Sequence, residues 1–167
     1  RTRQLPLVEE VHRRLEATRP ESPPSTIVHG DYRLGNTMYA TSAPAHLLAI
    51  LDWELATVGD PLADIGYLTA TWTEPGSPSP LGTSPVTARP GFATRAELVA
   101  RYEEVSGRRV ERLAWYQALA LWKASIFLEG NYKRFLAGTT HDPYYAKLDT
   151  GVPALAEAAW ELVRGEG

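Results

Sequence analysis

Apolar residues recur at intervals of three and four near the start of the chain and through its second half. Val8, Val11 and Leu15 stand at i, i+3 and i+7 with Glu and Arg between them, which predicts a helix over 6–18. Pro20, Pro23 and Pro24 end it. Three short apolar runs follow and predict strands: Ser25 to His29 around Ile27 and Val28, Asn36 to Tyr39, and His46 to Leu51, which reads HLLAIL. Gly30 to Gly35 has turn chemistry, and Pro44 marks a loop. Asp60-Pro61 opens a helix reaching about Trp72, since Asp accepts backbone N–H bonds at a cap and Pro is preset for the first turn. Residues 73–93 are rich in Pro, Gly, Ser and Thr and are expected to form a mobile connector rather than a substrate lid. Thr94 and Glu97 make a capping box for a helix that Gly107 closes. Leu113, Trp115, Leu119, Trp122 and Ile126 place a long helix at 111–129, and a last helix covers 152–164. Most of the five tryptophans are expected in the core, with Trp115 and Trp122 on one helical face. Strands early and helices afterwards give an α+β, mainly helical class, with an early hairpin on a helical body, unlike a doubly wound sheet or a sandwich.

Strand ends carry the candidate chemistry. His29-Gly30-Asp31-Tyr32-Arg33-Leu34-Gly35-Asn36 is followed sixteen residues later by Asp52. Transfer of a phosphoryl group to an alcohol needs a carboxylate to orient the hydroxyl and accept its proton, and hard oxygen ligands for magnesium. Asp31, after an apolar strand, suits the base. The amide oxygen of Asn36 and the carboxylate of Asp52 suit the metal. The spacing His-x-Asp-x-x-x-x-Asn equals that of the protein-kinase catalytic loop, and Asp52 stands where that class carries its metal-binding aspartate. Each residue also has a plainer reading. Asp31 or Asn36 alone fits a turn, Asp52 a strand end, Asp60 a helix cap, and Asp64 an acid favoured by the dipole of a first helical turn.

Taken together, IVHGDYRLGN and LDWELATVGDPLADIGYL resemble the core of the aminoglycoside phosphotransferase and choline kinase-like superfamily. Within it they are most similar to the branch of kinase domains associated with acyl-CoA dehydrogenases. The likeness is dense over 27–72 and weaker through WYQALALWKASIFLEG. It implies the C-terminal lobe of a protein-kinase-like fold over 1–167, with a few short strands around the catalytic loop. It implies Asp31 as catalytic base, Asn36 and Asp52 as magnesium ligands, and His29 and Asp64 as braces of the loop. Arg33 and Glu54 become possible contacts to substrate or phosphate. Mg2+ and ATP are the implied cofactor and co-substrate.

A complete kinase also needs a Gly-rich loop and a strand lysine before the catalytic loop. Only 28 residues precede His29, and Lys123, Lys133 and Lys147 all come late. The nucleotide-holding N-terminal lobe is therefore expected in a longer protein, and the isolated chain is expected to be inactive. The first residue is Arg, which agrees with a fragment.

Composition changes this picture little. Charged residues are 22% and the net charge is -3 without a basic run, which disfavours nucleic acid and membrane surfaces as partners. Cysteine is missing, which removes disulfides, thiolate metal sites and a Cys nucleophile. No apolar run approaches the ~18 residues of a membrane span, and a cytoplasmic location is expected. The expected partners are a nucleotide and a small hydroxylated substrate, either aminoglycoside-like or a hydroxyacyl or hydroxy-acid metabolite. Arg33, Tyr132 and Arg134 are candidates to line its pocket. Two further readings stay open: a non-catalytic kinase-like binding module, and a metal-dependent phosphoesterase. The second needs more His and Asp ligands than His12, His46 and His141, expected at structural or surface positions, can supply.

Overall fold

The computed structural model describes residues 3–77, 79–81 and 85–165. The first helix, α1 (Pro6–Ala17), starts on the proline that its first turn favours and buries Val11 and Leu15. Four short strands follow: β1 (Thr26–Val28), β2 (Thr37–Tyr39), β3 (Leu47–Ile50) and β4 (Thr57–Gly59). They form two antiparallel pairs, one nested in sequence inside the other. β2 pairs with β3 through Thr37–Ile50 and Met38–Ala49, and β1 pairs with β4 through Ile27–Val58 and Val28–Thr57. The expected hairpin is thus β2–β3, while the partner of β1 is β4, which pattern reading missed because three residues are too few to show a period of two. Asn36 is not the first residue of a strand. It closes a 3-10 turn, Leu34–Asn36, immediately before β2.

The remaining helices are α2 (Leu62–Thr71), α3 (Arg95–Ser106), α4 (Leu113–Leu136) and α5 (Leu148–Val163). The α3 capping box forms as expected, with the Thr94 side chain and backbone both bonded to Glu97, and Gly107 takes the left-handed closing position at φ 67°. α4 runs to Leu136 rather than to 129, and α5 begins at Leu148 rather than 152, with Pro153 inside it. Pro153 lies in the second turn of α5, where it removes one intrahelical bond without ending the helix.

α4 is the central element and packs on α5, α2 and α1. Leu15, Leu62, Trp115, Tyr116, Leu121, Leu155 and Val163 are buried at these contacts. Trp115 and Trp122 both cross to α1, their indole N–H groups donating to the carbonyls of Leu15 and Val8 at 3.0 Å. The backbones of α2 and α4 approach so closely at Gly66 that an added Cβ would lie 2.5 Å from Tyr116 Cβ. Trp53 departs from the expectation of a core tryptophan and is 48% exposed.

The segment after α2 is tied down where it is described, against the expectation of a mobile connector. The Thr87 hydroxyl bonds the N–H and C=O of Thr73, Ser79 bonds the Ala70 carbonyl, and Arg95 reaches Trp72, Glu74 and Ser77. Residues 78 and 82–84 of that expectation lie outside the described residues. No helix among the described residues is long and apolar enough to cross a membrane.

Candidate active site

The loop after β1 is built on Gly30, which lies at φ +85° in the left-handed region. A Cβ there would also meet the Leu55 carbonyl oxygen at 2.7 Å, so conformation and space both require glycine. The turn presents two adjacent N–H groups to the first turn of α2. There Asp64 accepts from the His29 N–H at 2.7 Å with one oxygen and from the Gly30 N–H at 2.9 Å with the other.

His29 is 2% exposed and links the loop to the end of β3. Its Nε2 stands 2.7 Å from the Leu51 carbonyl, which can only accept, so Nε2 carries the proton. Nδ1 is then left to accept the Asp31 N–H at 3.2 Å. The ring packs against Trp53 with centroids 4.8 Å apart.

Asp31 is half-buried and surrounded by donors. Asn36 Nδ2 donates to its Oδ2 at 2.7 Å and to its backbone carbonyl at 2.9 Å. The Arg33 Nε lies at 3.5 Å from Oδ2, a weak pairing. Tyr67, from α2, stands near Asp31. Burial first, and then the neighbouring Asp31, push the Tyr67 phenol well above its ordinary value, while Arg33 acts in the opposite direction. Tyr67 therefore keeps its proton throughout the neutral range. Sequence reading missed it. The available signal was its place three residues after Asp64, which puts both on one face of α2.

Asn36 is 5% exposed. With its amide nitrogen committed to Asp31, its amide oxygen is the end left for another partner. The Asn36 backbone carbonyl accepts the Leu51 N–H at 2.8 Å. Leu51 is thus bonded to Asn36 on one side and His29 on the other, and Asp52 is the next residue. Asp52 sits at φ 66°, ψ 56°, a left-handed conformation that a non-glycine residue rarely holds without surrounding constraint. The backbone therefore brings Asp52 to the end of β3 beside Asn36. Glu54 is exposed in the 3-10 turn Trp53–Leu55. Among the described residues no group of three or more His, Cys, Asp or Glu gathers. The donor set offered here is one carboxylate and one amide oxygen, which fits magnesium, an ion that keeps waters and takes further oxygens from phosphates.

Other expected residues lie elsewhere. Tyr132 donates to Asp149 at 3.1 Å and underlies the Arg3 guanidinium, and Arg134 bonds Asn131. Neither is among the residues lining the cavity that Arg33 borders. His46 and His141 are exposed, and His12 stacks on Trp122. Asp60 does more than cap. It accepts the Leu62 N–H at 2.9 Å and the Tyr116 hydroxyl at 2.7 Å, pinning the start of α2 to α4.

Comparison with known proteins shows the family and the fold. The family model described as "Phosphotransferase enzyme family" matches residues 1–98. The chain is 31% identical over 169 residues to acyl-CoA dehydrogenase family member 10 of Mus musculus, covering 99% of this chain and 16% of that protein. It is 31% identical over 149 residues to acyl-CoA dehydrogenase family member 11 of Gallus gallus, covering 86% and 19%. A crystal structure of a Ralstonia eutropha chain, assigned by its description to the aminoglycoside phosphotransferases, superposes with a TM-score of 0.75 at 28% identity. The match covers 98% of this chain and 50% of that one. The chain thus spans half of the solved structure and under a fifth of these two longer relatives.

Proposed function

The chain belongs to the phosphotransferase enzyme family, and from that premise we propose that it is the catalytic lobe of an ATP- and magnesium-dependent kinase acting on a hydroxyl of a small molecule. The observation that carries this reading is the setting of Asp31. Its carboxylate is held by Asn36 on a loop clamped by Asp64 and His29, next to the end of β3 that bears Asp52.

Each residue then has a task. Asp31 orients the acceptor alcohol and takes its proton as the alcohol oxygen bonds to the γ-phosphorus and the bond to the β,γ-bridging oxygen breaks, releasing ADP. Asn36 fixes the Asp31 carboxylate through its amide nitrogen. The Asn36 amide oxygen and the Asp52 carboxylate would hold magnesium, which when bound neutralises phosphate charge. His29 and Asp64 keep the loop in place. Positioning of this kind supplies most of the rate in phosphoryl transfer.

A second lobe would cradle the nucleotide. Ile27 and Val58, opposite each other on β1 and β4, are 70% and 71% exposed, and Leu48, Leu51, Trp53 and Leu55 are exposed as well. Apolar residues exposed on these strands and on the turn after β3 suit a covering domain. The share of longer relatives that lies outside the match leaves room for one.

The test is 31P NMR of the full-length protein with ATP, magnesium and a panel of hydroxy compounds. A new phosphate monoester is expected, and Asp52→Asn should raise the magnesium concentration needed for half-maximal rate. ATP hydrolysis to free phosphate alone, or a rate indifferent to magnesium, contradicts the reading.

A further inference from the structure

The second half of α1, the start of α2 and the first half of α4 border a cavity of about 370 Å³. Asp31, Asn36 and Asp52 do not line it, and it shares no residue with the cavity that Arg33 borders. Its walls are Leu15, Ala63, Trp115, Tyr116, Leu119 and Trp122. The polar groups of these walls are already engaged. The indole N–H groups of Trp115 and Trp122 donate to the backbone of α1, and the Tyr116 hydroxyl donates to Asp60 at 2.7 Å. Asp60 uses its other oxygen on the Leu62 N–H at 2.9 Å. The walls therefore offer ring and aliphatic surface, which calls for an apolar body. His12, at the edge, stacks on Trp122 with ring centroids 5.2 Å apart and planes 12° apart. A further ring can extend that stack, so an aromatic body fits better than an aliphatic one.

The rim carries two opposite charges that nothing nearby satisfies. Glu16, in the last turn of α1, and Arg19, just past its end, both line the cavity and are exposed. Neither makes a hydrogen bond or an ion pair with another described residue. Other charges of α1 differ: Arg13 pairs with Glu10, and Arg14 donates to the Val163 carbonyl. Arg19 stands close enough to Tyr116 to oppose the rise of its phenol, which places the cation towards the Tyr116 side of the cavity. Aromatic walls with one open carboxylate and one open guanidinium at the edge match a molecule that has a ring, an ammonium and a carboxylate. The volume is at the lower end of the ~300–1,000 Å³ of small-molecule sites, which suits a ligand of that size.

We propose that this cavity binds an amino acid with an aromatic side chain, its ring against His12 and Trp122, its ammonium at Glu16 and its carboxylate at Arg19. Asp60, a second acid on the lining, favours the ammonium over an added anion. The site is separate from the one centred on Asp31, so the proposal stands whether or not the chain transfers phosphate.

The experiment is calorimetric titration of the full-length protein with L-phenylalanine and with probes that each lack one of its features: phenethylamine without the carboxylate, 3-phenylpropionate without the ammonium, and L-alanine without the ring. L-Phenylalanine is expected to bind with a Kd of about 1 mM or tighter. Loss of either charge should weaken binding about fivefold, the scale of an exposed ion pair. L-Alanine should show no binding at the same concentrations. Arg19→Gln should remove only the advantage of phenylalanine over phenethylamine, and Glu16→Gln only its advantage over 3-phenylpropionate. Both side chains are exposed, so both variants should keep the wild-type melting temperature. Asp31→Asn should leave the binding unchanged. No binding of phenylalanine, equal affinity for phenylalanine and either charge-deleted probe, or advantages that survive both rim substitutions overturn the proposal. Binding that is lost in Asp31→Asn also overturns it, by moving the ligand to the catalytic loop.

Discussion

Gly30 shows how narrowly single positions set this site. Its φ of +85° and the Leu55 carbonyl beside it leave no place for a methyl group. Gly30→Ala is expected to lower stability by roughly 1–3 kcal/mol, the range of overpacking and backbone strain. It should also loosen the two N–H bonds to Asp64, so that activity falls further than stability accounts for. Urea denaturation together with rate measurements on the folded variant checks both. Tyr116 gives a pH prediction. Burial first, and then the Asp60 hydrogen bond and charge, raise its phenol above the ordinary value near 10. The Asp60–Tyr116 contribution is therefore complete below pH 10 and is lost as pH rises through the raised value. Thermal melts of wild type should fall more steeply above pH 10 than those of Tyr116→Phe. Parallel curves would show that this bond adds nothing.

Among the elements, α2 does the most for the site. One of its faces delivers Asp64 and Tyr67 to the catalytic loop, and Gly66 lets it lie directly on α4. Gly66→Ala would force a methyl against the Tyr116 backbone and Cβ, and a loss of about 1–3 kcal/mol is expected, read as a lower urea midpoint. An unchanged midpoint would mean that the two helices can separate freely. How legible such elements were depended on length. α1, α3, α4 and α5 each carry several apolar repeats or a cap signal, so their existence could be read even where α4 overran its expected end by a turn or more. β4 has three residues and no readable period. Asp31, Asn36 and Asp52 could be proposed from sequence because their chemistry and spacing are local. Tyr67 was not, because its role depends on how α2 lies across the loop. The bonds that tie the described residues after α2 were hidden for the same reason: Thr87 and Arg95 find their partners 14 to 23 residues away.

At the scale of the whole molecule, the strand side exposes apolar residues, and so do the helices at Val105, Phe127 and Leu136. Ile27, Leu48, Leu55 and Val58 are all more than half exposed. The isolated chain should therefore bind an apolar dye such as ANS at this surface, and Ile27→Lys with Val58→Glu should reduce that signal without shifting the melting temperature. It should also fail to bind Mg-ATP with micromolar affinity in calorimetry, since neither a Gly-rich loop nor a strand lysine precedes Asp31 in this sequence to cradle the phosphates. Micromolar binding would show that the cradle is already present in this chain. Both expectations follow from one claim, that the catalytic chemistry resides in this lobe and centres on Asp31. The most direct test is the phosphate-transfer rate of full-length Asp31→Asn at saturating Mg-ATP, with circular dichroism to verify folding. The account predicts a fall of about 10²–10⁴-fold, the range expected for losing a general base. A folded variant within threefold of the wild-type rate would contradict it.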